Sequence, residues 1–434
     1  MSATDAASDL RFEAGAAPAR LPPRAMAAGA MGNLLEWYDF AVYGFLASVF
    51  ARNFFPNSSP TAALLSVFGV FAASFLMRPL GSIVFGHIGD RHGRRAALIT
   101  SAACMTVSTV LVGLLPTYAA IGVMAPVLLL ALRLLQGLAI GGEYMTSAVF
   151  LAEGAPRDWR GTCAALATVG CNAGTLVGSG MGALTAGLLT PDQLDAWGWR
   201  VPFLLGLALG GFTLVLRRTV PPTPPPMVQA ADAELPLLAA IRDAWRDILR
   251  ASCLTFVGGV SYYLIFVYLA TWLQQVDGFT PALSLELNTL SMLVVLVLAV
   301  AFAALSDRIG RKWVLGAGFL GLALFSWPLF LLLRSGDPAL ALGAQIGFSV
   351  LIATGGAMPA ALVELFPRRI RCTAVGLSWN LAIGIGGGTA PLVAVLLVSA
   401  TGSTMAPAAY LIGAAALATL AVLTLPDRAG RPLD

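Results

Sequence analysis

The chain has 434 residues, 58% of them hydrophobic and only 11% charged, with a mean hydropathy of +0.82. A soluble globular protein is about 25% charged, so the composition excludes an ordinary water-soluble protein and makes a length-based domain count meaningless. The net charge of +4 is no sign of nucleic-acid binding, because the basic residues follow a membrane pattern.

Residues 1–25 are rich in Ala, Pro and Arg and contain Asp5, Asp9 and Glu13. They lack the basic start and short apolar core of a secretory signal, and are expected to form a disordered cytoplasmic tail. A helix needs about 20 apolar residues to cross a bilayer. Such segments fall at 26–50, 63–85, 96–115, 126–151, 161–187 and 199–217, and again at 251–275, 283–305, 313–333, 339–363, 373–399 and 406–425. The fold class expected is an all-α membrane protein of twelve transmembrane helices. They group into two six-helix, pseudo-symmetric bundles over 26–217 and 251–425, with a tail at 426–434. Between them, 218–250 starts with Pro221, Pro222, Pro224, Pro225 and Pro226, which cannot continue helix six. An amphipathic run follows, with Leu238, Ile241, Trp245, Ile248 and Leu249 opposite Arg242, Asp243, Arg246 and Asp247. It reads as an interfacial helix of the linker.

With both ends cytoplasmic, twenty-one Lys and Arg residues fall in cytoplasmic segments, against Arg52, Arg200 and Arg334 on the other side. That bias sets the orientation and places the chain in a bacterial inner membrane as a multi-pass protein. Cys104, Cys163, Cys171, Cys253 and Cys372 are scattered singly, and His87 and His92 have no ligand partners nearby. No metal site is expected.

The halves repeat. GHIGDRHGRR after span two matches AALSDRIGRK after span eight, so Asp90, Arg91, Gly93, Arg94 and Arg95 correspond to Asp307, Arg308, Gly310, Arg311 and Lys312. EGAPRDWRG after span four matches ELFPRRIRC after span ten, pairing Glu153 and Arg160 with Glu364 and Arg371. Two copies at matched positions point to structural latches that gate a conformational change.

The loop from Gly86 to Arg95 resembles the signature between helices two and three of the major facilitator superfamily, and the resemblance covers nearly the whole chain. In the second copy Ala303 replaces the leading Gly. GNLLEWYDF at 32–40, RPLG at 78–81, RLLQGLAIGGEY at 133–144 and AWGWRVPF at 196–203 resemble the metabolite:H⁺ symporters within it. That group includes carriers of citrate, 2-oxoglutarate, shikimate, and proline or betaine.

The charges inside spans carry the chemistry. A charged side chain at the bilayer centre costs about 2.5–3.5 kcal/mol on insertion scales and marks function by default. Glu36 and Asp39 lie three residues apart on span one, with Asn33 and Tyr43 continuing the stripe. Span four has Arg133, Gln136 and Glu143; Arg78 lies on span two, before Pro79. Three acids against two arginines leave one acid in excess, as a proton carrier requires. Asp39 or Glu36 is expected to carry the proton, with Glu143 and Arg133 as a switching pair. Arg133 is the candidate for binding an anionic substrate, since a guanidinium holds a carboxylate bidentately. Arg78 is expected to support the loop from Gly86 to Arg95. Tyr38, Tyr43, Asn33, Gln136, Asn172, Tyr262, Tyr263, Trp379 and Asn380 are the further candidates for lining the cavity. The glycines at 384 and 386–388 are expected to permit close helix contact.

These readings converge on a proton-coupled symporter that imports a small di- or tricarboxylate by alternating access. No cofactor beyond the proton and no nucleic-acid partner are expected, and a monomer is expected to suffice. The alternative is a carrier of a zwitterionic osmolyte. The long charged C-terminal extension of osmoprotectant carriers is missing, which favours the acid, whereas FPRRIRCTAVGLSWNLAIGIGGGTAP resembles the osmoprotectant group. No HExxH or GxxxxGK[ST] supports an intramembrane protease or an ATP-driven pump. A membrane sensor is the remote alternative, but it would need an output domain for which about nine residues after span twelve leave no room.

Overall fold

The computed structural model describes residue 26 and residues 34–92, 94–141, 143–218, 236–368 and 370–433, without the side chains at 86, 87, 89–92, 94, 95, 143, 146, 216–218 and 236–239. Among the described residues the chain is helical, with no strand. Span one is Leu34–Phe45 and Ala47–Phe54, bent by 65° between them. Span two is Pro60–Leu76 continued by Arg78–His92, and span three is Arg94–Leu114. Span four is Met124–Ala139 followed by Glu143–Glu153; span five is the single helix Arg160–Leu188. Span six joins the π-helical turn Leu194–Gly198 to Arg200–Arg218.

In the second half, span seven is Pro236–Tyr263, a π-helical turn Leu264–Tyr268, then Leu269–Val276. Spans eight and nine are Pro281–Ile309 and Arg311–Leu333. Span ten is Pro338–Ala353, a 3₁₀ turn Thr354–Ala357 and Met358–Leu365. Span eleven is Arg371–Ala382, a π-helical turn Ile383–Gly387 and Ala390–Thr401; span twelve is Ala406–Leu423.

Local chemistry explains where these helices begin. Spans two, eight and ten each start with an oxygen-bearing N-cap followed by proline: Ser59–Pro60, Thr280–Pro281 and Asp337–Pro338. The cap side chain accepts from a backbone N–H that would otherwise be orphaned, and proline at the first helical position lacks an N–H to satisfy. Gly310, with φ 102°, makes the sharp turn between spans eight and nine, a conformation that excludes most side chains.

The amphipathic run of the linker is not a separate helix. From Pro236 it runs on into span seven, with one non-helical residue, Ala244 (φ −133°, ψ 21°), marking the bend. Ile241, Trp245 and Leu249 remain exposed along it, as an interfacial face requires. The region between spans three and four resolves into a short helix, Tyr118–Ile121, ended by Gly122 at φ 57°. The prolines at 221–226 and the tail at 1–25 lie outside the described residues.

The halves meet along spans five and eight, two and eleven, one and seven, and four and ten. Large apolar side chains such as Leu76, Ile83, Val297 and Leu420 stay exposed around the outside. In a bilayer that band faces lipid, so helix association there rests on packing rather than on leaving water.

Candidate functional site

A cavity of about 90 Å³ lies where the halves meet. It has room for roughly six waters, the scale of an amino-acid-sized solute. Six aromatic residues line it: Trp37 from span one, Tyr144 from span four, Tyr262 and Tyr263 from span seven, Phe319 from span nine, and Trp379 from span eleven. Trp37 stacks on Tyr263 at 6.0 Å and 21° and meets Tyr262 edge-on at 5.5 Å. Tyr144 packs on Trp379 at 4.5 Å. Thr168, Asn172, Thr255 and Ser261 add neutral polar groups, and no Lys, Arg or His is among the described lining residues. Trp37 Nε1, Thr255 Oγ1 and the Tyr262 hydroxyl are buried and complete no hydrogen bond within the protein. Buried donors of this kind cost stability unless a ligand or water answers them.

Beside the cavity, inside the first half, lie two buried ion pairs. Arg133 Nη1 donates to Asp39 Oδ2 at 2.5 Å, and both residues are fully buried. Gln136 Nε2 donates to the other Asp39 oxygen at 2.8 Å and to Thr109 at 3.1 Å, while its own carbonyl accepts from Arg133 at 2.8 Å. The guanidinium sits over Phe40 at 4.4 Å and Tyr43 at 4.3 Å. This gives a desolvated cation the ring faces it favours. The second pair is looser: Arg78 Nη2 stands 3.6 Å from Glu36 Oε1. Arg78 rests on Phe75 at 4.1 Å and reaches Phe40 at 5.2 Å.

A third charged cluster joins the halves at the end bearing the C-terminal segment. Asp307 accepts from the N–H groups of Gly161 (2.7 Å) and Thr162 (2.9 Å) and from the Thr162 hydroxyl (2.8 Å), thus capping span five from the opposite half. Arg160 donates to Glu364 at 3.0 Å, Arg311 reaches Asp307 at 2.8 Å and Glu364 at 3.2 Å, and Arg371 donates to Glu153 at 2.6 Å. Further along span five, Ser179 accepts from Asn288 and Thr289 of span eight at 3.1 and 2.8 Å. Thr168, Cys171 and Asn172 line the cavity between these two sets of contacts.

Of the residues expected to line the site, Asn172, Tyr262, Tyr263 and Trp379 do so. Others lie off the cavity. Tyr38 donates to the Pro202 carbonyl at 2.6 Å and Tyr43 to that of Val67 at 3.0 Å, so both hydroxyls serve helix packing. Gln136 and Arg133 are taken up by Asp39, and Asn380 is half-buried away from the cavity. Arg78 faces Glu36. The partner that Arg133 meets is Asp39. Asn33 and Gly93, the side chains of Asp90, Arg91, Arg94, Arg95 and Glu143, and the surroundings of Gly86 lie outside the described residues. In the second latch Arg308 is exposed and Lys312 donates to the Leu423 carbonyl at 2.6 Å.

Sequence reasoning missed Trp37 and Tyr144. Both stand next to a singled-out acid, Glu36 or Glu143, and one residue is 100° around a helix. Trp37 lines the cavity, whereas Glu36 beside it turns to Arg78. Aromatic residues flanking intramembrane charges on spans one and four were the available signal.

Residues 25–236 match the family described as sugar (and other) transporter, and residues 281–433 match the major facilitator superfamily. A putative proline/betaine transporter of Staphylococcus aureus (strain COL) is 36% identical over 413 residues, spanning 94% of this chain and 89% of that one. The proline/betaine transporter of Salmonella typhimurium is 31% identical over 423 residues, spanning 94% and 84%. Among solved structures, the proton:xylose symporter XylE bound to 6-bromo-6-deoxy-D-glucose superposes with a TM-score of 0.75, at 18% identity and over 94% of this chain and 97% of that one. That likeness is one of fold. The chain belongs to the major facilitator superfamily, within its metabolite:H⁺ symporter family, and is a multi-pass membrane transporter.

Proposed function

We propose that this transporter is a proton-coupled symporter of small zwitterionic osmolytes of the proline and glycine betaine class. The observation that carries the reading is the cavity wall: six aromatic rings and, among the described lining residues, no cationic side chain. Ring faces attract ammonium groups, most strongly when desolvated. The unanswered donors Trp37 Nε1, Thr255 Oγ1 and Tyr262 hydroxyl suit the single carboxylate at the other end of such a solute. A di- or tricarboxylate needs fixed positive charge, and Arg133 and Arg78 are already engaged by Asp39 and Glu36. The relatives of Staphylococcus aureus and Salmonella typhimurium, proline/betaine transporters by name, point the same way, so the osmolyte reading takes precedence over the carboxylate expected from the sequence.

Asp39 is assigned the proton. Protonation removes the counter-charge of Arg133 in a desolvated site, and an uncompensated buried charge costs about 3–5 kcal/mol. That energy is available to drive rearrangement of span one against span four. The chain is placed in the bacterial plasma membrane with both termini cytoplasmic, by the excess of Lys and Arg on that side. It needs no cofactor besides the proton and acts as a monomer.

The test is uptake of labelled proline and glycine betaine into proteoliposomes under an inward proton gradient, with unlabelled competitors. Glycine betaine and proline should compete with each other, and citrate and 2-oxoglutarate should not. Accumulation of citrate with no effect of betaine would overturn the reading.

A further inference from the structure

Tyr263 connects the cavity to the charged pairs. It is buried on span seven immediately before the π-helical turn, and its ring stacks on Trp37 inside the cavity. Its other side meets Phe75 of span two edge-on, at 5.3 Å and 88°. Phe75 carries the Arg78 guanidinium on its face, and the Tyr263 hydroxyl approaches that guanidinium without completing a hydrogen bond. Gly387 of span eleven lies behind the ring, where a Cβ would come within 2.7 Å of Tyr263 Cδ2. The ring is therefore confined between an occupant of the cavity and the Phe75–Arg78 stack.

The two ion pairs are suited to different tasks. Asp39 and Arg133 are locked by Gln136 and Thr109, and none of the four lines the cavity. Glu36 and Arg78, at 3.6 Å, are beyond hydrogen-bond reach yet buried. In a low-dielectric site a small change in such a separation has a large electrostatic effect. Phe40 lies against both guanidinium groups, at 5.2 Å from Arg78 and 4.4 Å from Arg133.

We infer that Tyr263 is a positioning residue that transmits occupancy of the cavity to the Glu36–Arg78 pair, and through Phe40 to Asp39 and Arg133. The assignment rests on the cavity being the substrate site. It places the link between substrate and proton on a residue of the half that holds neither pair, so coupling depends on the two halves being in contact.

Y263F keeps the ring and removes the hydroxyl. In proteoliposomes, counterflow of labelled glycine betaine without a proton gradient should stay within about two-fold of wild type, while gradient-driven accumulation falls roughly ten-fold, the scale of an allosteric coupling. Y268F, which removes the hydroxyl of a buried tyrosine on the same span but off the cavity, should leave accumulation intact. Wild-type accumulation by Y263F, a proportional loss of counterflow and accumulation, or the same split in Y268F would each overturn the assignment. If the wild-type protein shows no counterflow with either osmolyte, the substrate reading fails on its own. The link is then decided by thermal unfolding in detergent: the Tm shifts of Y263F and E36Q must be non-additive, and additive shifts overturn it.

Discussion

Arg160 of span five donates to Glu364 of span ten across the seam at 3.0 Å, and the residues at the matching positions of the repeat reverse the arrangement, with Arg371 donating to Glu153 at 2.6 Å. Each half thus supplies one acid and one arginine, and each acid finds the other half's arginine. A pseudo-two-fold relation between halves makes such an exchange self-complementary. These contacts must separate whenever this end of the cavity opens.

Glu364→Gln should favour that opening. Glu364 holds both Arg160 and Arg311 and is buried. Removing the charge takes this counter-ion from buried Arg160 and leaves Arg311 with Asp307, at a cost of about 3–5 kcal/mol to the closed arrangement. Cys163, half-buried beside the cap that Asp307 places on span five, is a native reporter. Its alkylation, followed by mass spectrometry, should speed up by roughly ten-fold or more on the same scale. An unchanged rate would mean that the latch does not hold this end closed.

Asp39→Asn should uncouple transport and destabilise the protein. Asparagine can keep the contact with Gln136 but cannot neutralise Arg133. Gradient-driven accumulation is expected to be lost while counterflow persists, and Tm in detergent should drop by several degrees for a loss of a few kcal/mol. Undiminished accumulation would remove Asp39 from the proton-carrying role.

Trp379→Leu tests the aromatic wall. Trp379 packs on Tyr144 at 4.5 Å at the edge of the cavity. Loss of a desolvated cation–π contact of about 2 kcal/mol would raise KM for glycine betaine roughly 30-fold. Proline, whose ammonium is less bulky and better hydrated, should suffer less. Equal effects on both would indicate simple loss of packing.

Asp277 gives a pH-dependent prediction outside the spans. Burial lifts its carboxyl above the usual carboxylate range, and Arg334 partly offsets this. The folded chain holds this proton more tightly than the unfolded one, so the contribution to stability is greatest below the unfolded pKa of about 3.9 and falls as pH rises through the folded value. Asp277→Asn should therefore raise Tm slightly at neutral pH and lose that advantage toward pH 4. A gain of equal size at both pH values would assign the effect to packing instead.

Gly387→Ala probes the close approach of spans seven and eleven. The added methyl would press on the Tyr263 ring, and overpacking of this kind costs typically about 1–3 kcal/mol. Lower Tm together with weaker coupling is expected. A silent substitution would show that the ring has space to move.

The spans, the repeat and the latch residues were legible in the sequence because each rests on local pattern. Apolar length identifies a span, and the paired motifs are written out twice. The intramembrane charges were equally plain, being expensive wherever they occur. Their partners were not. Glu36, Asp39 and Glu143 are indistinguishable as acids in apolar helices, and only packing brings Arg133 to Asp39 and Arg78 to Glu36.

The cavity wall is the clearest division between the two sources. Tyr262, Tyr263 and Trp379 stood out as aromatic residues within spans, whereas Trp37 and Tyr144 were passed over for the acids beside them. By itself the sequence determined a two-fold repeated bundle of spans with charge buried in its first half, since hydropathy and the cost of burial act on each helix separately. Which side chains face one another across the seam was decided only by the tertiary structure. Arg371 and Glu153 are 218 residues apart in sequence, and what joins them is the rotation and depth of helices from opposite halves.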